Sequence, residues 1–132
     1  MPSDTAHPAE RINRPAADVY AYVADPRHIT DWAPGLGGEV EQIDGEWFVD
    51  TPGGQVKVEF APPNDYGVLD HHVTFPNGDG FDNPLRVVPY GEGSEIVFSV
   101  RRTPGVSDAD FARDTDAVAA DLVRLKKILE SS

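Results

Sequence analysis

Three ionisable residues follow one another near the centre of the sequence, Asp70, His71 and His72, and their types could support acid–base or metal chemistry. Neighbouring residues of a β-strand point to opposite faces, so adjacent histidines of a strand cannot bind one metal ion together. The other two histidines, His7 and His28, lie far away along the chain. We therefore predict that the protein has no metal site.

The predicted strand that contains His71 has one side that is more apolar than the other. This side is formed by Leu69, His71, Val73 and Phe75. We expect it to face the interior, so that Asp70 faces outward. An inward histidine with a shifted pKa could serve as general acid or base in an aldol-type cyclisation or a dehydration. The alternative is that His71 only hydrogen-bonds a neighbour or orients a ligand.

Asp70 and Arg86 are the second pair of interest, on consecutive predicted strands that flank a turn at 77–80. If Asp70 pairs with Arg86, then Leu69 pairs with Val87 and the apolar rows of the two strands align. That register predicts a cross-strand ion pair on the outer face of the sheet. A one-residue slip would instead turn both charges into the interior, where they could bind a carboxylate or carbonyl of a ligand.

Composition excludes several other classes of function. The 132 residues contain no cysteine, which excludes disulfides, zinc–thiolate sites and a cysteine nucleophile. With 23 acidic and 11 basic residues the net charge is −12, which argues against binding to nucleic acid or to an anionic membrane. No stretch approaches the roughly 20 apolar residues that span a bilayer, so we expect no membrane insertion and a cytoplasmic protein.

The elements that must position these residues follow from hydrophobic periodicity and turn signals. Steps of three and four between apolar residues, after an N-cap candidate at Ser107, predict a long C-terminal helix. The predicted order is a strand at 9–13, helices at 16–24 and 26–32, strands at 39–43, 46–51, 55–60, 68–75, 84–90 and 95–102, and a helix at 107–130. One antiparallel sheet with all helices on one side is an α+β fold, and the length fits a single domain over 1–132.

Several stretches spread over nearly the whole chain are similar to one known family. They are 12–26 (INRPAADVYAYVADP), 32–35 (WAPG), 66–71 (YGVLDH), 85–88 (LRVV), 93–95 (GSE), 111–114 (FARD) and 121–126 (DLVRLK). In these stretches and in its order of elements the chain resembles the START-like helix-grip superfamily, also called SRPBCC, and within it the polyketide cyclase/dehydrase-like branch. The resemblance implies a curved sheet wrapped round the long C-terminal helix, with a cavity between them for an apolar or amphipathic small molecule. It brings no universal catalytic residue and no cofactor.

The candidate ligand-binding residues are those that we expect on the inner face of the sheet and on the helices that cover it. Trp32 and Phe81 are the candidates for the mouth of the pocket, and Tyr20 could place a hydroxyl inside it. The full set is Tyr20, Trp32, Trp47, Val58, Leu69, His71, Val73, Phe81, Val87, Phe98, Val118 and Leu122.

Three functions are open at this point. The first is binding of an apolar small molecule by a monomer or homodimer. The second is a cyclase, aromatase or dehydratase that acts on a polyketide-like substrate and uses His71 as acid or base. The third is a protein-interaction module without catalysis. A wide apolar cavity that exposes His71 favours the first two, whereas an interior filled by side chains favours the third.

Overall fold

The structure is a computed structural model that describes residues 4–36 and 38–131. These residues form three α-helices and ten β-strands, with short 3-10 turns at Pro26–His28 and Pro34–Leu36. The predicted elements occur in the predicted order, but strands at Thr5–Ala6 and Gly80–Asn83 were not predicted, and the predicted strand at 95–102 is divided after Phe98. The helices are α1 (Ala16–Val23), α2 (Ile29–Trp32) and α3 (Asp108–Glu130). The strands are β1 (Thr5–Ala6), β2 (Ala9–Ile12), β3 (Val40–Ile43), β4 (Glu46–Thr51), β5 (Gly54–Phe60), β6 (His71–Thr74), β7 (Gly80–Asn83), β8 (Leu85–Tyr90), β9 (Gly93–Phe98) and β10 (Val100–Arg101). The α+β class is therefore confirmed.

The strands differ from the prediction where the chain bends. The predicted strand at 84–90 is preceded by β7, which is not predicted from the sequence, and Pro84 separates β7 from β8. Proline has no N–H to donate to a neighbouring strand, so a break at this residue is expected. The predicted strand at 68–75 is likewise shorter, because only His71–Thr74 forms regular pairs.

The sheet is antiparallel throughout, and two larger parts of it meet at this break. One part has the order β3-β4-β5-β6-β7 and the other has the order β2-β9-β8. Val68 and Arg86 form an isolated bridge between the parts, and the Leu69 N–H donates to the Leu85 carbonyl at 2.8 Å. The result is one curved sheet with a bend.

The register at this junction corrects the prediction. Arg86 lies opposite Val68, not opposite Asp70, and Leu69 is bonded to Leu85, not to Val87. The shift is two residues. Because side chains alternate with a period of two, an even shift leaves every residue on its predicted face. Asp70 and Arg86 therefore still share the outer face of the sheet.

The concave face of the sheet carries the core. Cross-strand pairs place Trp47 opposite Val58, Val58 opposite Val73, and Val73 opposite Phe81, so these four form one row across β4 to β7. Val58 and Val73 are buried within this row. Such cross-strand apolar pairs stabilise a sheet and fix which face is covered.

The long helix α3 begins at the predicted N-cap, where the Ser107 hydroxyl accepts a hydrogen bond from the Asp110 N–H at 3.1 Å. Its buried residues lie in its C-terminal half, namely Leu122, Leu125 and Leu129. This half packs mainly on β2 and α2. Among the described helices, none is long and apolar enough to cross a membrane.

Candidate ligand-binding clefts

His71 lies on the concave face of the sheet and is buried, with 6% of its surface exposed. Its ring contacts Phe60 of β5, with 5.0 Å between centroids, and Phe98 of β9 at 5.8 Å in an edge-to-face arrangement. Phe60 is also its cross-strand partner. Aromatic neighbours on two strands thus fix the position of the imidazole.

The protonation state of His71 follows from one hydrogen bond and from burial. Its Nδ1 lies 3.1 Å from the Leu69 carbonyl oxygen, which can only accept, so Nδ1 carries the proton and donates. Burial lowers the pKa of His71 below 6.5 and outweighs the opposite effects of the Leu69 carbonyl and the Asp70 charge. The ring is therefore neutral at pH 7, and Nε2 holds the lone pair that could accept a proton.

Asp70 and Arg86 form an ion pair on the outer face. The Arg86 guanidinium donates two hydrogen bonds to the Asp70 carboxylate, the shorter of them 2.9 Å. The Leu85 N–H donates to the same carboxylate at 2.9 Å. These bonds lower the pKa of Asp70, the Arg86 bond most. The predicted ion pair on the outer face is thus present, although Asp70 and Arg86 are not directly opposite, and the alternative with both charges turned inward is wrong.

An apolar cleft of about 480 Å³ opens between α1 and the strands β4 and β5. Four of the predicted ligand-binding residues meet there, namely Tyr20, Trp47, Val58 and Leu69. The other residues that line it are Ala24, Pro26, Gly45, Glu46, Glu59, Phe60, Ala61, Pro63 and Val68. We call this site the apolar cleft. Ala24, Pro26 and Pro63 are not among the residues that the sequence predicts to bind a ligand.

The hydroxyl of Tyr20 holds one wall of the apolar cleft in place. It accepts a hydrogen bond from the Asn64 N–H at 3.1 Å. The Asn64 side chain in turn accepts from the Tyr66 and Val68 N–H groups at 3.0 and 3.1 Å and so shapes the loop before β6. Gly67 completes this loop with a φ of +72°, which favours glycine. A third cleft of about 580 Å³ lies on the other side of the same loop and is lined by Ala16, Ala17, Tyr20, Asn64, Asp65, Tyr66, Gly67, Val87 and Pro89.

A more polar cleft of about 460 Å³ lies at the bend of the sheet. His71 contributes to its lining together with charged residues of the outer face. The full lining is Glu59, Phe60, Ala61, Asp70, His71, His72, Asp82, Asn83, Pro84, Arg86 and Arg101. We call this site the polar cleft. It shares Glu59, Phe60 and Ala61 with the apolar cleft, so the two clefts adjoin.

Of the remaining predicted ligand-binding residues, Val87 lines the third cleft, and the others line none of the three clefts. Trp32 lies in the core with 2% of its surface exposed, not at the mouth of a pocket, and its carbonyl accepts from Arg124. Phe81 packs edge-on against Phe75 at 5.6 Å. Val73, Val87, Phe98 and Leu122 are buried core residues, and Val118 packs against the core half-buried.

The long helix does not wall any of the three clefts described above. No residue of α3 is among their lining residues. The sequence places the cavity between the sheet and this helix, but the apolar cleft is covered by α1 and the turn that follows it. Within the described residues, no group of three or more histidine, aspartate or glutamate side chains is arranged to hold a metal ion.

The curved antiparallel sheet and the long C-terminal helix define a helix-grip fold, and comparison with known proteins assigns the family. The sequence model of the family described as polyketide cyclase / dehydrase and lipid transport matches residues 7–130. The chain therefore belongs to this SRPBCC-type family, as the sequence motifs predict. A comparison with curated protein sequences finds no match.

Solved structures share the fold at low sequence identity. Protein MLL2253 from Mesorhizobium loti has a TM-score of 0.72 at 10% identity, covering 97% of this chain and 98% of its own. Ara h 8.0201 has a TM-score of 0.68 at 15% identity, with 97% and 98% covered. DynU16, from the dynemicin biosynthetic locus, has a TM-score of 0.70 at 19% identity, with 98% of this chain covered. The chain spans about half, 48%, of the length of DynU16.

Proposed function

We propose that this protein binds an apolar or amphipathic small molecule in the apolar cleft. The observation that carries the proposal is the meeting of Tyr20, Trp47, Val58 and Leu69, from α1, two strands and the segment before β6, around a space of about 480 Å³. Ligand pockets of globular proteins are concave, mostly apolar and carry a few placed polar groups. The Tyr20 hydroxyl is such a group here.

The family supports the same proposal. Its description includes both polyketide cyclisation and lipid transport, and each requires an apolar or amphipathic molecule to be held by the protein. Burial of apolar surface supplies the affinity, at about 25 cal/mol for each Å² removed from water. A net charge of −12 does not oppose a neutral ligand.

Titration with Nile red, a neutral dye whose emission rises in apolar surroundings, tests the proposal. Trp47 lines the apolar cleft, so its fluorescence should change in the same titration. The blocking variant is Ala24→Phe, which places a ring in the cleft from the end of α1. The matched control is Ala21→Phe, on the same helix but exposed and outside the lining of the cleft.

We expect saturable binding of Nile red by the wild type and by Ala21→Phe, and affinity lower by about tenfold or more in Ala24→Phe, which corresponds to about 1.4 kcal/mol. Equal affinity of the two variants would place the dye elsewhere and contradict the proposal. Circular dichroism of both variants shows whether each is folded.

The geometry of His71 favours one second function, that of an acid–base enzyme. Its Nδ1 is held by the Leu69 carbonyl, its pKa is lowered by burial, and its ring contributes to the lining of the polar cleft. A neutral imidazole held in one tautomer is suited to accept a proton through Nε2. We propose that, if the protein acts on a polyketide-like substrate, His71 is the base.

Replacement of His71 by alanine separates binding from catalysis. A pure binding protein should lose affinity for its ligand modestly. Loss of turnover with affinity intact, in the His71→Ala variant supplied with a poly-β-keto substrate analogue, would favour the enzyme and refute pure binding.

A further inference from the structure

The carboxylates that line the polar cleft all have side-chain partners, whereas one of its two arginines has no ion-pair partner among the described residues. Three carboxylates line it, and each is already bound by a positively charged or hydrogen-bonding side chain of the protein. The pairs are Glu59 with Lys57 at 2.8 Å, Asp70 with Arg86 at 2.9 Å and Asp82 with His72 at 2.6 Å. None of these carboxylates therefore needs a further cation.

Arg101 is the arginine of the polar cleft that has no such partner. It lies on β10, lines the polar cleft and is exposed. Among the residues that the structure describes, no carboxylate lies within 4.0 Å of its guanidinium. The next residue, Arg102, has two partners. It pairs with Asp108 at 2.5 Å and lies over the Phe111 ring. The charge of Arg102 is thus used within the fold, whereas that of Arg101 is available.

Arg86 adds donors on the same cleft. Its bonds to Asp70 use Nε and one terminal nitrogen. A guanidinium carries five N–H donors, so part of this group can still donate to a second acceptor. The planar fork of an arginine matches the geometry of a carboxylate, which it binds through two parallel hydrogen bonds.

The polar cleft also adjoins the apolar cleft. Both are lined by Glu59, Phe60 and Ala61, at the end of β5 and just beyond it. A molecule with an anionic head and an apolar body can therefore place its head beside Arg101 and extend past Phe60 toward Trp47. The apolar cleft has no arginine or lysine in its lining, and the polar cleft offers few apolar residues, namely Phe60, Ala61 and Pro84.

We propose that the ligand is an amphipathic monocarboxylic acid, whose carboxylate binds Arg101 in the polar cleft while its apolar part occupies the apolar cleft. This inference rests on the proposed function and specifies the chemical class of the ligand. A single carboxylate fits better than a phosphate, because the three nearby carboxylates and the net charge of −12 repel a multiply charged head.

Decanoate and decanol are the probes, since they share a chain and differ in the charged head. Binding is followed by tryptophan fluorescence, because Trp47 lines the apolar cleft. The test variant is Arg101→Gln. The control is Arg113→Gln, which removes the same charge from an exposed position of α3 that pairs with Asp110 and lies outside both clefts.

We expect the wild type to bind decanoate more tightly than decanol. Arg101→Gln should weaken decanoate about tenfold, the usual loss for a hydrogen bond to a charged group, and leave decanol unchanged. Arg113→Gln should change neither affinity by more than about twofold. In the wild type, the preference for decanoate should also shrink as NaCl is raised to about 1 M, a measurement that needs no variant.

Three results would overturn the inference, and they are distinct. Equal binding of decanoate and decanol by the wild type would contradict the proposed carboxylate site but not the proposed binding in the apolar cleft. Equal losses in Arg101→Gln and Arg113→Gln would show a general effect of charge. Binding of neither probe would contradict the proposed function as well.

Discussion

The burial of His71 predicts how the stability of the protein depends on pH. The imidazole is harder to protonate in the folded state than in the unfolded state, because burial lowers its pKa below 6.5. Above pH 6.5 both states are neutral at this residue, and its contribution to stability is complete. Below pH 6.5 the unfolded state binds one more proton, so stability falls by about 1.4 kcal/mol for each pH unit until the folded-state pKa is reached.

The comparison of the wild type with His71→Phe isolates this effect. Phenylalanine keeps an aromatic ring against Phe60 and Phe98 but does not titrate. Urea unfolding at pH 5 to 8, followed by circular dichroism, gives the free energy of unfolding of each protein. The difference between them should be constant above pH 6.5 and should change below it, with the wild type losing stability relative to the variant.

The control for this comparison is Leu125→Ala, a fully buried position of α3 that does not titrate. Its loss of about 2–5 kcal/mol should be the same at every pH. A difference between the wild type and His71→Phe that stays flat from pH 5 to 8 would refute the reasoning, because it would mean that His71 is protonated equally well in both states.

Two further predictions concern the backbone that holds the site and the long helix. Gly67→Ala should lower the free energy of unfolding by at least about 2 kcal/mol, because its φ is +72° and a Cβ would lie 2.0 Å from the Val87 carbonyl oxygen. Gly105→Ala is the control, with a φ of +86° but open space around it, and should cost only about 1 kcal/mol in urea unfolding. Ser107→Ala should cost about 1 kcal/mol in the same assay, because it removes the N-cap of α3, and an unchanged midpoint would refute that role.

The fold could be predicted from the sequence because its signals are local. The alternation of Val56, Val58 and Phe60 against polar neighbours marks a strand with one covered face, and Asp44-Gly45 marks a hairpin. Both residues of that turn have positive φ, as such hairpins require. The apolar residues of α3 at steps of three and four and its N-cap at Ser107 are also signals that lie close together in the sequence.

The register at the bend and the position of the clefts could not be predicted, because they depend on contacts between distant segments. Matching the apolar rows gave the correct faces for Asp70 and Arg86 but a pairing that is two residues wrong, since alternation cannot distinguish even shifts. Trp32 stands before a proline–glycine turn, which suggests a pocket mouth, yet it lies in the core, and its carbonyl accepts a hydrogen bond from Arg124 of α3.

The proposed roles of Ala24 and Arg101 were not predicted from the sequence, for a related reason. A small residue at the end of a helix and an arginine at the end of a strand carry no local sign of a ligand. They become candidates for ligand binding only because the fold places Ala24 beside Trp47 and Arg101 beside Arg86 in the linings of adjoining clefts.

Native mass spectrometry of the protein purified from its own host tests the central claim, occupancy of the apolar cleft, most directly. The wild type and Ala21→Phe should carry a retained small molecule of one mass, and Ala24→Phe should carry less of it or none. A wild-type spectrum with the mass of the bare chain alone, or equal occupancy in all three proteins, would contradict the claim.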